Sequence, residues 1–84
     1  MEIPVSHAGN IFGKLDSHVK ILEKHLGVTL VFRDGTLKIV GNGSHVKKAE
    51  KIIGNLLALS VRGNQITEQE VNYALALSYE DKDD

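Results

Sequence analysis

The chain has 84 residues, of which 42% are hydrophobic and 25% charged, a length that fits one domain but not a core beside a separate catalytic lobe. It contains no cysteine, which excludes disulfide staples and cysteine-held zinc, so its stability must come from packing alone. The net charge of −1 hides an asymmetry: residues 14 to 62 hold nine Lys or Arg against four Asp or Glu, an excess of five, while the last five residues, Glu80 to Asp84, contribute −3. A basic body with an acidic tail is compatible with a phosphate-binding face, although clustered lysines are also the ordinary wet side of a helix.

In chain order, Glu2-Ile3-Pro4-Val5 reads as a short strand that Pro4 confines to an edge. His7 to Phe12 is predicted to form one helical turn, and Gly13 then breaks the chain before a helix opening near Asp16, a good capping residue type. Leu15, Val19, Leu22 and Leu26 recur at helical spacing and are predicted to form a buried stripe. Gly27 suits the left-handed position that closes such a helix.

Two β-rich runs, Val28 to Arg33 and Thr36 to Val40, flank Asp34-Gly35, and a two-residue loop of this type marks a hairpin because both residues accept positive φ. That loop places Phe32 opposite Leu37 and Leu30 opposite Ile39, so the apolar pairs share one face. After a Gly41-Asn42-Gly43 loop, Ser44 is expected to cap a long helix whose core face is Val46, Ala49, Ile53, Leu56 and Leu57, with Ile52 beside it. Gly63 ends this helix. Thr67 and Glu70 then form a T-x-x-E capping box, with Ile66 and Val71 as its hydrophobic staple. Val71, Ala74, Leu75 and Ser78 give the last helix a packing face. Residues 1–79 are thus read as one domain and residues 80–84 as an acidic tail or the start of a linker.

The order β-α-α-β-β-α, followed by one more helix, resembles a type I KH nucleic-acid-binding module. Glu2 to Lys14 resembles the KH opening of strand, short helix and Ile-Gly-Lys-type turn, and Leu26-Gly27-Val28 resembles the entry to its second strand. The resemblance implies an α+β fold, a three-stranded antiparallel sheet with helices on one face. Phe12-Gly13, Leu26-Gly27-Val28, Arg33-Asp34-Gly35, Ile39-Val40-Gly41 and Arg62 through Thr67 are together similar to the N-terminal domain of PhoH-like proteins, phosphate-starvation-inducible P-loop ATPases. This similarity runs nearly the whole length, final helix included. It implies a fragment whose ATPase domain, with its ATP, lies outside this chain.

In KH modules a G-x-x-G loop lets phosphates approach bare backbone while an apolar groove takes the bases. Here the loop reads Gly13-Lys14-Leu15-Asp16, with Asp in place of the second Gly. A carboxylate at that point opposes phosphate, and KH domains that lack this Gly often contact proteins instead. The resemblance implies Gly13, Lys14 and Leu15 at the phosphate turn, with Asn10, His18 and Arg33 nearby.

Other chemistries are poorly supported. Gly9 to Leu15 is one residue short of a P-loop, and Leu15 stands where a Mg²⁺-binding Ser or Thr is needed. His18 and His25 are two helical turns apart, without a carboxylate to complete a metal site. The consecutive Asp16, Ser17 and His18 point in different directions on a helix and cannot relay a proton. Lys47, Lys48 and Lys51 read as the exposed side of an amphipathic helix. The chain is therefore expected to be no enzyme and to hold no cofactor or metal of its own. Its expected role is weak binding of RNA or single-stranded DNA for an attached ATPase; the alternative is a docking or self-assembly scaffold through the terminal helix. No stretch approaches a membrane span and no leader-like segment opens the chain, so the expected location is cytoplasmic.

Overall fold

A computed structural model describes residues 1–80, in the order α1 (Val5–Phe12), a single 3₁₀ turn (Lys14–Asp16), α2 (Ser17–Leu26), β1 (Thr29–Arg33), β2 (Thr36–Val40), α3 (Gly43–Val61) and α4 (Glu68–Glu80). The acidic tail from Asp81 onward and the Ser78 side chain lie outside what is described.

The sheet corrects the sequence reading. It has two antiparallel strands, not three. The segment expected to supply the third strand makes only an isolated bridge, Glu2 to Thr36. Around it, Leu37 N–H donates to Met1 O at 2.7 Å and Ile3 N–H donates to Gly35 O at 2.9 Å. Pro4 ends the pairing for two reasons. It has no N–H to extend a ladder, and its carbonyl instead accepts from His7 and Ala8, opening α1 one residue later. Val5, read as the end of a strand, is therefore helical.

The hairpin register is the one its loop dictates: Leu30 pairs with Ile39 and Phe32 with Leu37. Leu30 and Leu37 are buried, Phe32 and Ile39 half-buried, and the alternate positions exposed. Because Arg33 and Thr36 flank a two-residue loop, the N–H groups of Leu30 and Phe32 point away from β2, along the free edge of β1. Glu23 on α2 caps this edge, its carboxylate accepting from Leu30 N–H at 2.8 Å. An edge N–H satisfied by a carboxylate is also shielded from pairing with a foreign strand.

The core lies between the inner sheet face and the four helices. It gathers Ile3, Ile11, Leu22, Leu37, Ile52, Ile53, Leu56 and Val71, all essentially inaccessible. In α1 the buried residues are Ala8, Ile11 and Phe12, the i, i+3, i+4 spacing of one helix face. In α2 they are His18, Leu22 and Leu26. Leu15 is not among them, being 92% exposed, so the expected stripe loses its first member. The helix begins after Leu15, and the turn before it aims that side chain at solvent.

Helix α3 starts slightly earlier than Ser44 suggests: Asn42 is the cap, its side chain accepting from Ser44 N–H at 3.1 Å. At the other end Gly63, with φ of 96°, lets Asn64 N–H reach back to Leu59 O at 3.0 Å. Ile66 and Val71 are both buried beneath the start of α4, as a hydrophobic staple requires.

The capping pair at α4 has a pH consequence. Glu70 accepts from both the hydroxyl and the backbone N–H of Thr67, and the hydroxyl bond first, then the backbone bond, holds its carboxyl below the ordinary value of 4.5. A carboxyl depressed in the folded state stabilises fully above its unfolded value and loses that contribution as pH falls through the folded one. Amides of Glu68 to Val71 are expected to lose exchange protection on acidification below the ordinary carboxylate range. Glu70→Gln should flatten this dependence; an unchanged profile would show that the cap is not electrostatic.

Candidate functional site

The four residues between α1 and α2 hold an unusual backbone. Gly13 has φ 81° and ψ 173°, while Leu15 and Asp16 sit in the left-handed region at φ 53° and 59°. The turn closes through Asp16 N–H to Gly13 O at 3.2 Å. Leucine rarely adopts this conformation, and Asp tolerates it better than most side chains. Asp16 occupies the capping position of α2, as its type suggests, but its side chain makes no cap hydrogen bond. A left-handed cap residue cannot fold its carboxylate back over the helix end in the way an extended one does.

Asp16 also lines a groove of about 160 Å³, together with Phe12, Val19, Leu30, Phe32 and Leu37. The Phe12 and Phe32 rings meet at 5.2 Å between centroids and 57° between planes, fixing one wall. The groove thus joins the turn to β1 and β2, with five apolar lining residues and Asp16 as the charged one. The sequence reading singles out neither Val19 nor Phe32 as a groove residue.

A second, shallower cleft of about 390 Å³ reaches from Gly9, Gly13, Lys14 and Ser17 to Gln65 and Thr67. Asn10 and His18 also line it, with the Asn10 amide and the His18 Nδ1 engaged internally. The Asn10 Nδ2 donates to Ser60 Oγ at 2.8 Å and to Asn64 O at 2.9 Å, while its Oδ1 accepts from Ile66 N–H at 2.8 Å. Because one partner is a carbonyl and another an N–H, only one amide orientation satisfies the set. His7 Nδ1 lies 2.7 Å from the same Ser60 hydroxyl. Asn10 thus straps the α3–α4 connection to α1.

His18 is 6% exposed, and its Nδ1 lies 2.9 Å from Ile11 O. A carbonyl only accepts, so Nδ1 carries the proton and the ring ties the end of α1 to the start of α2. Lys14 is exposed on the turn. Arg33 is exposed too, yet alternation along β1 puts its side chain on the sheet face opposite Phe32, away from the groove. Of the six residues read as candidates, the fold gathers Asn10, Gly13, Lys14 and His18 along the second cleft, leaves Leu15 projecting from the turn, and separates Arg33. Among the described residues no group of three His, Cys, Asp or Glu is placed to hold a metal ion, and no helix is long and apolar enough to cross a membrane.

Comparison with known proteins gives relatives of a single kind. The chain is 33% identical over 69 residues to a PhoH-like protein of Bacillus subtilis, an alignment that spans 82% of this chain and 22% of that protein. It is 25% identical over 77 residues to a PhoH-like protein of Mycobacterium tuberculosis, and 26% identical over 77 residues to one of Mycobacterium leprae. In both, 92% of this chain matches 22% of the relative. No family model matches the chain.

Proposed function

Taking as premise that this chain belongs with the PhoH-like proteins, of whose length it spans about 22%, we propose that it is their KH-like accessory domain and binds single-stranded nucleic acid, RNA foremost, across the Gly13–Asp16 turn. One observation carries this reading. The turn carries Gly13 and the exposed Lys14 on one cleft and contributes Asp16 to a groove of about 160 Å³ whose other lining residues are apolar, so phosphates can pass Gly13 and Lys14 while a base enters between Val19 and Phe32. The excess of positive charge between residues 14 and 62 supports it by drawing a polyanion to this body. On this reading the domain performs no catalysis; it presents the strand to an ATP-hydrolysing portion of the whole protein, in the cytoplasm.

A titration of short single-stranded RNA and DNA at low salt, followed by backbone chemical shifts, tests the reading. Shifts should centre on Gly13, Lys14, Asp16 and Phe32. Lys14→Glu should weaken binding by about tenfold, about 1.4 kcal/mol, and loss of that lysine should lower the salt slope by about 0.7. If nothing moves at millimolar oligonucleotide, the binding reading fails. A second reading would then take over, supported by the exposure of Tyr73 (66%) and Leu77 (48%) one turn apart on α4: a scaffold that docks on the rest of its own protein or on a second copy.

A further inference from the structure

We propose that Asp16 is a specificity-determining residue that makes the groove select an amino-bearing base over uracil; the proposal rests on the nucleic-acid reading above. By charge alone, a carboxylate beside a phosphate-binding turn would only weaken binding. Its position shows a different use. Asp16 is exposed, makes no bond to the end of α2, and is the one charged residue among the six that line the groove, with Phe12, Val19, Leu30, Phe32 and Leu37.

A base that fills such a groove takes water from the groove side of this exposed carboxylate. An ionised carboxylate accepts hydrogen bonds and donates none, so once desolvated it needs a donor from the ligand. The exocyclic amine of cytosine or adenine supplies one. Uracil presents a carbonyl oxygen in the corresponding place, leaving oxygen against oxygen and the carboxylate without a partner. The free edge of β1 adds a complementary group, because the Phe32 N–H points outward from the sheet along the groove wall. A ring nitrogen of cytosine accepts from such a group, whereas the corresponding position of uracil is itself an N–H. The two contacts therefore discriminate in the same direction, and cytosine and uracil make the cleanest comparison because their rings are the same size.

The test measures binding of the 84-residue chain to seven-nucleotide RNAs made only of cytidine or only of uridine, for the unsubstituted protein, Asp16→Asn and Asp16→Gly. Asn and Gly both accept the left-handed backbone at this position, so both variants should fold. The unsubstituted protein should prefer the cytidine strand by about tenfold, the size of one good base contact. Asp16→Asn, whose amide can donate as well as accept, should bring the two affinities within about twofold of each other, mainly by tightening the uridine complex. Asp16→Gly should bind both strands more tightly and nearly equally.

Each other outcome is decisive. A preference that persists in Asp16→Asn assigns selectivity elsewhere and overturns the role of Asp16, with the binding reading intact. Binding by Asp16→Gly but not by the unsubstituted chain would make the carboxylate a repulsive element only, which also overturns it. Failure of all three proteins to bind either strand removes the nucleic-acid reading itself, and this proposal with it.

Discussion

Gly13→Ala is expected to cost about 3 kcal/mol of folding stability, the sum of two unfavourable effects of comparable size. The first is conformational. At φ 81° and ψ 173° the residue occupies a region that is essentially restricted to glycine, where any Cβ meets its own backbone. The second is steric. A Cβ here would lie 2.8 Å from Ser17 Oγ and 2.9 Å from two ring carbons of His18. The serine hydroxyl can rotate aside, but the imidazole is buried and tethered to Ile11 O, so the ring cannot yield without losing that bond. Urea denaturation of the variant should show a lower midpoint with an unchanged slope.

Gly9→Ala supplies the contrast. Gly9 lies inside α1 without a positive φ, and a Cβ there would meet no atom within 4 Å. Replacing it should therefore stabilise by about 0.5–1 kcal/mol through helix propensity and a less flexible unfolded chain. Two glycines one helical turn apart should thus give opposite signs. A cost below about 1 kcal/mol for Gly13→Ala would show that the turn relaxes around a side chain, because strain of this kind ordinarily costs at least that much.

Asn10→Ala is expected to cost about 2–4 kcal/mol, concentrated in one part of the fold. The side chain makes three hydrogen bonds, one to Ser60 in the last turn of α3 and two to the α3–α4 connection at Asn64 and Ile66. Truncation leaves the Ile66 N–H without its partner beside a residue that is itself buried, and it releases Ser60 and Asn64 as well. Ile66 is half of the staple under α4, so its displacement should loosen the helix that packs Val71 and Leu75 into the core. Native-state hydrogen exchange should therefore show α4 opening more easily, with the β1–β2 hairpin and the centre of α3 keeping their protection. Asn10→Asp should not rescue the effect, because it restores the acceptor for Ile66 N–H but sets a carboxylate against Asn64 O. A uniform loss of protection across the chain would argue against a local strap.

Several elements are legible in the residues alone. The hairpin and its register follow from Asp34-Gly35 and the alternation on either side, since a two-residue loop leaves one pairing that puts Leu30 and Phe32 inward. The T-x-x-E signal likewise locates the start of α4, and Gly27 the end of α2, because these motifs satisfy orphan backbone groups within a few residues. Sequence similarity, carried by short motifs along the chain, points to the same PhoH-like relatives that comparison finds.

Tertiary structure decides the rest. Whether Glu2 to Val5 becomes a strand depends on competition between β2 and the start of α1 for the groups around Pro4, and the helix takes them after one bridge. Leu15 fits a helical stripe by spacing, but spacing has no force where the backbone turns left-handed before the helix begins. Asn10 and Ser60 are fifty residues apart, and no local pattern announces a hydrogen bond between them. The groove is the clearest case: Phe12, Asp16 and Phe32 come from a helix end, a turn and a strand, and only their packing makes one surface. Local signals determine where the backbone of this protein turns and caps, because those bonds close over three or four residues. The candidate site depends on the whole fold, because its residues meet only when separate elements share one core.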